Sequence, residues 1–389
     1  MNEKDYSLEG QYFEWILGKL GWRLSFSQAQ TVKVLGTVLF CWLPLLVLSL
    51  ANGNFWTGSV QGSFITSVEA QSRFLISLPI LILAEPFVNG KLRKTLKQFL
   101  DAGLIPSDRI EEFHTIVKRK TRILQNPWVD LLLLAICYVQ VASILFFETQ
   151  YTSLAAWQFD EVQGEETLNY LGIWAVGVSR PITLYFIYKW ILRVVLWGRM
   201  LSRISKLDLA LVPFHADKVG GLGFLAFSVA YFGPLCFAIS ATLAGNVADL
   251  MLVDGMKLAD FRLMLLGYMV FVTIFFTYPM FVFSRVLLRF KEKSIFDLYD
   301  GAQHVYNSVN LRVMRDGVNA KTNPEDVALL GSISDYNAVL ENVLNMRAIP
   351  FQLRDLFPLW AMAIFPFFFV ILIEIPLTEI MAKLISALF

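Results

Sequence analysis

The sequence contains few charged residues, and this shortage is the first guide to its class. Asp, Glu, Lys and Arg make up 17% of the 389 residues, whereas a soluble domain usually carries about a quarter. Apolar residues make up 56% of the chain and gather in runs of about 20, the length that crosses the hydrocarbon layer of a bilayer. The alternating segments of about ten residues that are typical of membrane β-barrels are missing. The sequence therefore predicts an all-α, polytopic membrane protein.

Cysteine and histidine are also scarce, with three of each. Cys41, Cys137 and Cys236 lie in different apolar runs, so we expect neither a disulfide framework nor a zinc site. No combination of nucleophile, base and orienting group is visible, which argues against an enzyme. The chain begins with charged and polar residues, and no cleavable signal peptide is predicted. We predict no bound metal and no cofactor.

Seven apolar runs predict seven membrane spans. They cover residues 31–51, 74–90, 128–147, 168–189, 222–245, 262–285 and 357–381. Apolar side chains near helical spacing in the first segment predict a helix in the membrane interface. The predicted units are this interfacial helix, spans 1 and 2, a basic cytoplasmic hairpin, spans 3 to 6 with an extended cytoplasmic end of span 4, a cytoplasmic helical segment, and span 7 with an outer C-terminus. In the same order they cover residues 1–30, 31–90, 91–127, 128–285, 286–356 and 357–389.

The basic residues predict an orientation for these spans. Of the 33 Lys and Arg residues, 28 lie in segments 1–33, 91–127, 189–220 and 285–356. Because such an excess marks the cytoplasmic side, we predict an N-terminus inside, an outside C-terminus and a helical cytoplasmic base. The net charge is only +1, so nucleic acid is not an expected partner, and the lipid bilayer is.

Two ionisable residues lie deep in predicted spans and are expected to need partners. Glu85 and Arg180 are each followed by a proline, and counting from the predicted span starts puts them at similar depth. We therefore predict an ion pair between spans 2 and 4. Such a pair either fixes the helix register or lines a water-filled path.

The last predicted span carries two glutamates, Glu374 and Glu379, in its outer half. If several copies surrounded an axis, these residues would form acidic rings that attract cations. The alternative is that Glu379 lies at the outer interface and only Glu374 needs a partner.

The most motif-like stretch is LVPFHADKVGGLGFLAF at 211–227. A glycine-rich entry to a helix can present backbone N–H groups to an anion, although neither a Walker loop nor a dinucleotide fingerprint is present. The stretch is either a turn capped by an aspartate or a ligand or gating contact. Its candidate residues are His215, Asp217, Lys218, Gly220, Gly221 and Gly223.

Two patches of the sequence resemble a known family. The pattern H-x-D-x-x-G-G-L-G-F from His215, with NAVLENVLNMRAIPF at 337–351 before the last span, resembles a group of bacterial multi-pass inner-membrane proteins with no assigned activity. That group usually has proline where this chain has Ala216. The resemblance implies a location in the bacterial inner membrane. In topology alone, the predicted arrangement also resembles the insect chemoreceptor-type cation channels, which are tetramers that line their pore with the last helix.

Three functions remain open from the sequence. The first is a homo-oligomeric channel, with a tetramer favoured, that conducts cations past Glu374 and Glu379 and is gated by a cytoplasmic ligand or protein. The second is a secondary transporter with Glu85 and Arg180 at its midplane site. The third is a non-conducting scaffold or sensor that docks a cytoplasmic partner.

Overall fold

The chain folds almost entirely into helices. The computed structural model describes residues 26–57, 63–147, 156–162, 165–316 and 324–374, so most of the predicted interfacial helix and Glu379 lie outside the described residues. We number the ten helices of at least 15 residues in these ranges α1 to α10. They are α1 Phe26–Ala51, α2 Leu78–Asp101, α3 Ile110–Leu124, α4 Pro127–Phe147, α5 Arg180–Ile204, α6 Gly233–Val253, α7 Arg262–Phe281, α8 Ser284–Asp316, α9 Pro324–Leu344 and α10 Phe357–Glu374.

Six continuous helical segments are long and apolar enough to cross a membrane. They include α1, α2, α5, α6, α7 and α10, and they run over Ser27–Ala51, Val68–Asp101, Tyr170–Ile204, Gly223–Val253, Leu258–Phe281 and Leu353–Glu374. Helix α4 joins α3 at a bend of 49°, and this bent pair is a seventh candidate. The all-α, polytopic membrane class predicted from the sequence is therefore confirmed.

A short β-hairpin interrupts the otherwise helical chain. Strands Phe159–Val162 and Glu165–Leu168 pair antiparallel between α4 and α5, in a connection for which no strand was predicted. This hairpin is the one β element among the described residues, in a fold that is otherwise all-α. Trp157, just before the hairpin, packs against the helical bundle, and its ring centroid lies 5.2 Å from that of Phe64.

Helix α6 packs closely against its neighbours because small residues lie at its contacts. At Gly245 a Cβ atom would lie 2.9 Å from the carbonyl oxygen of Val68, and at Gly233 it would lie 3.3 Å from Met362 Cγ. Small residues let helix backbones approach within a membrane. The main core then fills with large apolar side chains, among them Trp190 and Trp197 from α5.

Helices α8 and α9 form an antiparallel pair in the segment predicted to be cytoplasmic. Tyr336 Oη donates to the carbonyl of Leu298 at 2.6 Å. Lys291 Nζ donates to the carbonyls of Leu344 and Met346 at 2.6 and 2.8 Å. It thus binds the last carbonyl of α9 and one just beyond it, where a cation is favoured by the helix dipole.

Candidate site among the buried charges

Two of the candidate spans contain the same irregular element. Residues Ser72–Ser77 and Ala175–Ser179 are π-helical, and the α-helix after each has a proline at its second position, Pro79 in α2 and Pro181 in α5. Proline lacks the N–H that would continue the ladder and crowds the preceding turn. A π turn is a common way to absorb such a defect and is frequent at functional sites.

The serine that ends each π segment contacts another helix. Ser77 Oγ donates to the carbonyl of Ala238 in α6 at 2.5 Å, and Ser179 Oγ donates to that of Cys41 in α1 at 2.8 Å. The sequence S-x-P therefore marks the same construction in both segments, with a hydroxyl that fixes the helix beside its defect. Of the two prolines, Pro181 was visible in the sequence as the residue after Arg180, whereas neither π turn was predicted.

Glu85 is buried on α2 and has two basic partners. Lys33 Nζ of α1 lies 2.8 Å from Glu85 Oε2, and Arg193 of α5 forms an ion pair with Glu85 Oε1. Lys189, one turn before Arg193, also acts on Glu85 electrostatically. One carboxylate thus joins three helices, with an excess of positive charge around it.

The predicted pair between Glu85 and Arg180 is not among the ion pairs of Glu85 in the described part of the chain. The reason is depth. The segment of α2 begins at Val68, six residues before the predicted span, so Glu85 lies about 25 Å along it, by helical rise. Arg180 lies only about 15 Å from the start of its own segment at Tyr170. The buried Arg180 instead acts electrostatically on Arg73, which pairs with Glu69.

A second charged cluster links α4 to α5 beside Glu85. Lys189 Nζ donates to Asp130 Oδ1 and to Tyr185 Oη, each at 2.9 Å. Tyr185 Oη donates to the same carboxylate oxygen at 2.9 Å. Through Lys189, the helices α1, α2, α4 and α5 all meet around one group of charges.

The interior next to Glu85 contains polar atoms that no described residue satisfies. Asn89, one turn after Glu85, is 1% exposed, and both its Oδ1 and its Nδ2 lack a hydrogen-bond partner in the described chain. The same holds for Arg193 Nε and Trp197 Nε1 on α5. Buried polar groups normally have a partner, which can be an ordered water or a ligand.

The helix register brings these atoms together. Trp190 Nε1 donates to the carbonyl of Leu81 at 2.9 Å, and Arg193 pairs with Glu85. Residues about 108 apart in sequence are therefore neighbours along α2 and α5. The next such neighbours are Asn89 and Trp197, which lie on the same faces one turn further on.

The ion pairs that Lys33 and Arg193 form with Glu85 were not predicted, because the two residues look like markers of the cytoplasmic side. Both lie at the edges of basic segments, where Lys and Arg are common. The available signal was periodicity, since Arg193 lies one helical turn from Lys189 and on the side of α5 that also carries Trp190 and Trp197.

Glu374 lies at the end of α10 and is exposed. Its Oε2 accepts a hydrogen bond from the backbone N–H of Leu258 at 3.0 Å, in the turn before α7. Between Trp360 and Glu374, α10 has only apolar residues. The ring of pore glutamates stays a prediction, and Glu379 lies outside the described residues.

Asp217 organises the glycine-rich stretch from within. Its Oδ1 accepts from the N–H of Val219 and Gly221 at 2.9 and 3.2 Å, and its Oδ2 accepts from that of Gly223 at 2.8 Å. His215 Nδ1 lies 2.8 Å from Asp217 Oδ1. The carboxylate therefore occupies the backbone N–H groups that an external anion would use.

Partial burial raises the pKa of Asp217, but the three backbone N–H groups and His215 lower it by more, so that the pKa lies below its usual value. The turn also needs left-handed backbone at three positions, with φ of 58° at Lys218, 68° at Gly220 and 98° at Gly221. Glycine adopts such angles without steric cost. These features favour the capped-turn interpretation of the stretch.

The two patches that carry the family resemblance contact each other. Arg347 N donates to the carbonyl of Lys218, and Arg347 Nη2 donates to that of Asp217, both at 2.8 Å. Met346 is buried and lies against Gly220. The segment between α9 and α10 is thereby attached to the loop between α5 and α6.

The described residues contain no group of three His, Cys, Asp or Glu side chains able to hold a metal ion. No family model matches this chain, and neither a curated protein nor a solved structure matches it.

Proposed function

We propose that this protein is a membrane transporter for a small anion, with its site at the Glu85 cluster. The observation that supports the proposal most is the set of unsatisfied polar atoms beside Glu85. Asn89, Arg193 and Trp197 are buried and retain hydrogen-bonding capacity that the described chain does not use. Ionisable groups inside a membrane protein usually face a partner, water or a transported species.

The balance of charge and donors favours an anion. Lys33 and Arg193 bring two positive charges to the single carboxylate of Glu85. The free donors on Asn89, Arg193 and Trp197 add N–H groups, which bind an anion directly. Nearer the start of the same two helical segments, Arg73 and Arg180 form a second positively charged group. Glu69 pairs with Arg73 there.

The proposal includes the topology predicted from the sequence. We infer seven spans, with α4 as the third, a cytoplasmic N-terminus and an outer C-terminus in a bacterial inner membrane. The distribution of Lys and Arg supports the orientation, and the resemblance in the motif at 215–224 supports the location. Epitope tags at the two termini should report opposite sides of the membrane.

Transport can be tested with purified protein in liposomes on a solid-supported membrane. Jumps of chloride, phosphate or acetate should give currents with the wild-type chain for at least one of these anions. Arg193→Gln should abolish the currents, whereas Lys97→Gln, which removes a positive charge from an exposed position on α2, should leave them unchanged. Arg193→Lys should restore part of the current.

Size-exclusion profiles would show that each variant is folded before currents are compared. Wild-type protein that gives no anion current would refute the proposal, and so would an Arg193→Gln variant with normal currents. A folded protein that passes neither anions nor cations would instead be the scaffold or sensor.

The homo-oligomeric cation channel remains a second proposal. It is favoured by the apolar face of α10, where Phe365, Phe368 and Phe369 are 52%, 42% and 58% exposed in the described chain, and by the exposed Glu374 at its end. Helix α10 could then pack against copies of itself, in the predicted tetramer or another ring. Its apolar stretch would make a constriction that closes by dewetting. A ring-shaped particle with cation-selective reversal potentials would support this second proposal over the first.

A further inference from the structure

A concave pocket lies between α3 and the end of α5, away from the Glu85 cluster. It is lined by Lys120 from α3 and by Arg199, Ser202 and Arg203 from α5. Every lining side chain is therefore a hydrogen-bond donor, and three of the four are cationic. Arg199 and Arg203 are one helical turn apart on one face of α5, and Lys120 faces them from the packed helix α3.

These cations have no counter-ion in the described part of the chain. The ion pairs formed there by residues of α3 and α5 use Arg109, Lys189 and Arg193, not the pocket residues. Arg109 already pairs with the nearby carboxylates Glu112 and Asp208. The charges of Arg199, Arg203 and Arg119 all act on Lys120.

Like charges that converge without a counter-ion destabilise a fold. Two equal charges one helical turn apart repel each other, and the third cation on α3 adds to this. A general excess of Lys and Arg at the cytoplasmic side does not need cations from two helices to meet in one concavity. The arrangement is what a bound anion would require.

The position of the pocket favours a soluble phosphate compound over a lipid headgroup. The pair Asp130–Lys189 joins α4 and α5, and Trp128 beside it is 74% exposed, as is typical of an aromatic residue at a membrane interface. Arg199 lies ten residues after Lys189 on α5, about 15 Å further along the helix by helical rise, and Lys120 faces it from α3. A soluble phosphate compound reaches this depth more easily than a lipid headgroup.

We propose that Lys120, Arg199, Ser202 and Arg203 bind a phosphate group. Each guanidinium can donate two parallel hydrogen bonds to phosphate oxygens, the ammonium supplies a point charge, and the serine hydroxyl supplies a fourth donor. Soluble phosphate compounds and anionic phospholipids share this chemistry. The site is separate from the proposed anion path, since Arg199 and Arg203 are exposed and point about 120° around α5 from the buried Arg193 and Trp197.

The test uses the full chain in nanodiscs of phosphatidylcholine, with inorganic pyrophosphate as the probe in calorimetry. Wild-type protein should bind pyrophosphate, and Arg199→Gln with Arg203→Gln should weaken the affinity about tenfold or more, as expected when two charge-assisted bidentate contacts are lost. The matched control is Lys94→Gln with Lys206→Gln, which removes the same charge from exposed positions and should change the affinity less than about twofold. Lys120→Gln provides an independent variant on the other helix.

A second arm identifies the source of the phosphate group. If pyrophosphate does not bind but nanodiscs with phosphatidic acid raise the melting temperature of the wild type and not of the Arg199/Arg203 variant, the site takes a lipid headgroup. The proposal is overturned if neither effect depends on these residues, or if the control pair loses as much as the pocket pair. Because this readout is binding, it is independent of whether transport is observed.

Discussion

Arg347 holds the loop of Asp217 by the backbone, through hydrogen bonds of 2.8 Å to the carbonyls of Asp217 and Lys218, while the Asp217 carboxylate holds the same loop from inside. Residues far apart in sequence thereby fix a turn that has positive φ angles at Lys218, Gly220 and Gly221. Its stability can be tested directly.

Asp217→Asn should destabilise the protein, because an amide offers one acceptor oxygen where the carboxylate offers two. The N–H of Gly223 or those of Val219 and Gly221 would lose their acceptor, at a cost of about 1–3 kcal/mol. Thermal unfolding of the purified protein measures the change. Asp254→Asn, at an exposed loop position, is the matched control and should have little effect.

The contribution of Asp217 should also depend on pH. Since its pKa in the folded protein is below the ordinary value of 3.8, the ionised form is favoured by folding. The stabilisation is present above pH 3.8 and is lost as the pH falls through the lower, folded-state pKa. The difference in melting temperature between wild type and Asp217→Asn should shrink below about pH 4. A difference that grew as the pH fell below 4 would contradict the observed hydrogen bonds.

Gly221→Ala should destabilise the same loop for a conformational reason. The φ of 98° at Gly221 is unfavourable for any residue with a Cβ atom, at a cost of about 1–3 kcal/mol. The loss would appear as a lower melting temperature. Gly36→Ala, within α1 and with open space at the Cβ position, should be neutral or slightly stabilising, because alanine favours helix.

A double-mutant cycle can distinguish the observed partner of Glu85 from the predicted one. Glu85→Gln and Arg193→Gln should show a coupling energy of about 1–3 kcal/mol, since the two side chains form a buried ion pair. The parallel cycle of Glu85→Gln with Arg180→Gln should show coupling near zero. Unfolding in denaturant gives both energies, and strong coupling in the second cycle alone would place Glu85 beside Arg180 after all.

The fold class could be predicted from the sequence because apolar runs of membrane length are a strong signal. The predicted runs fall on the described helices, yet the segment of α2 starts six residues earlier than its run, at Val68. The polar residues Ser72 and Arg73 made this start look unlike a membrane span. In the structure Ser72 packs against Gly245 of α6, and Arg73 pairs with Glu69. The earlier start also changes the depth of Glu85, whose ion pairs in the described chain are with Lys33 and Arg193.

In the candidate sites, local features could be predicted from the sequence, whereas contacts between distant segments could not. The importance of Asp217 and its glycines was visible in the spacing of the motif, because turn chemistry is local. The meeting of Arg347 with that motif is not local, and no feature of either patch specifies it. Likewise, Lys33 and Arg193 look in the sequence like ordinary basic residues beside a span. Only the packing of α1 and α5 on α2 shows that both pair with Glu85.

The paired π segments have a mechanical consequence. At each of them the regular ladder is already broken by a π turn and a proline, so a swivel at that level would sacrifice few additional main-chain bonds. Both lie toward the same end of their helices, ahead of Glu85 and Arg193. If these two segments bend, we expect the short helical turns before the π segments to move. The parts of α2 and α5 that carry Glu85 and Arg193 would then stay in place.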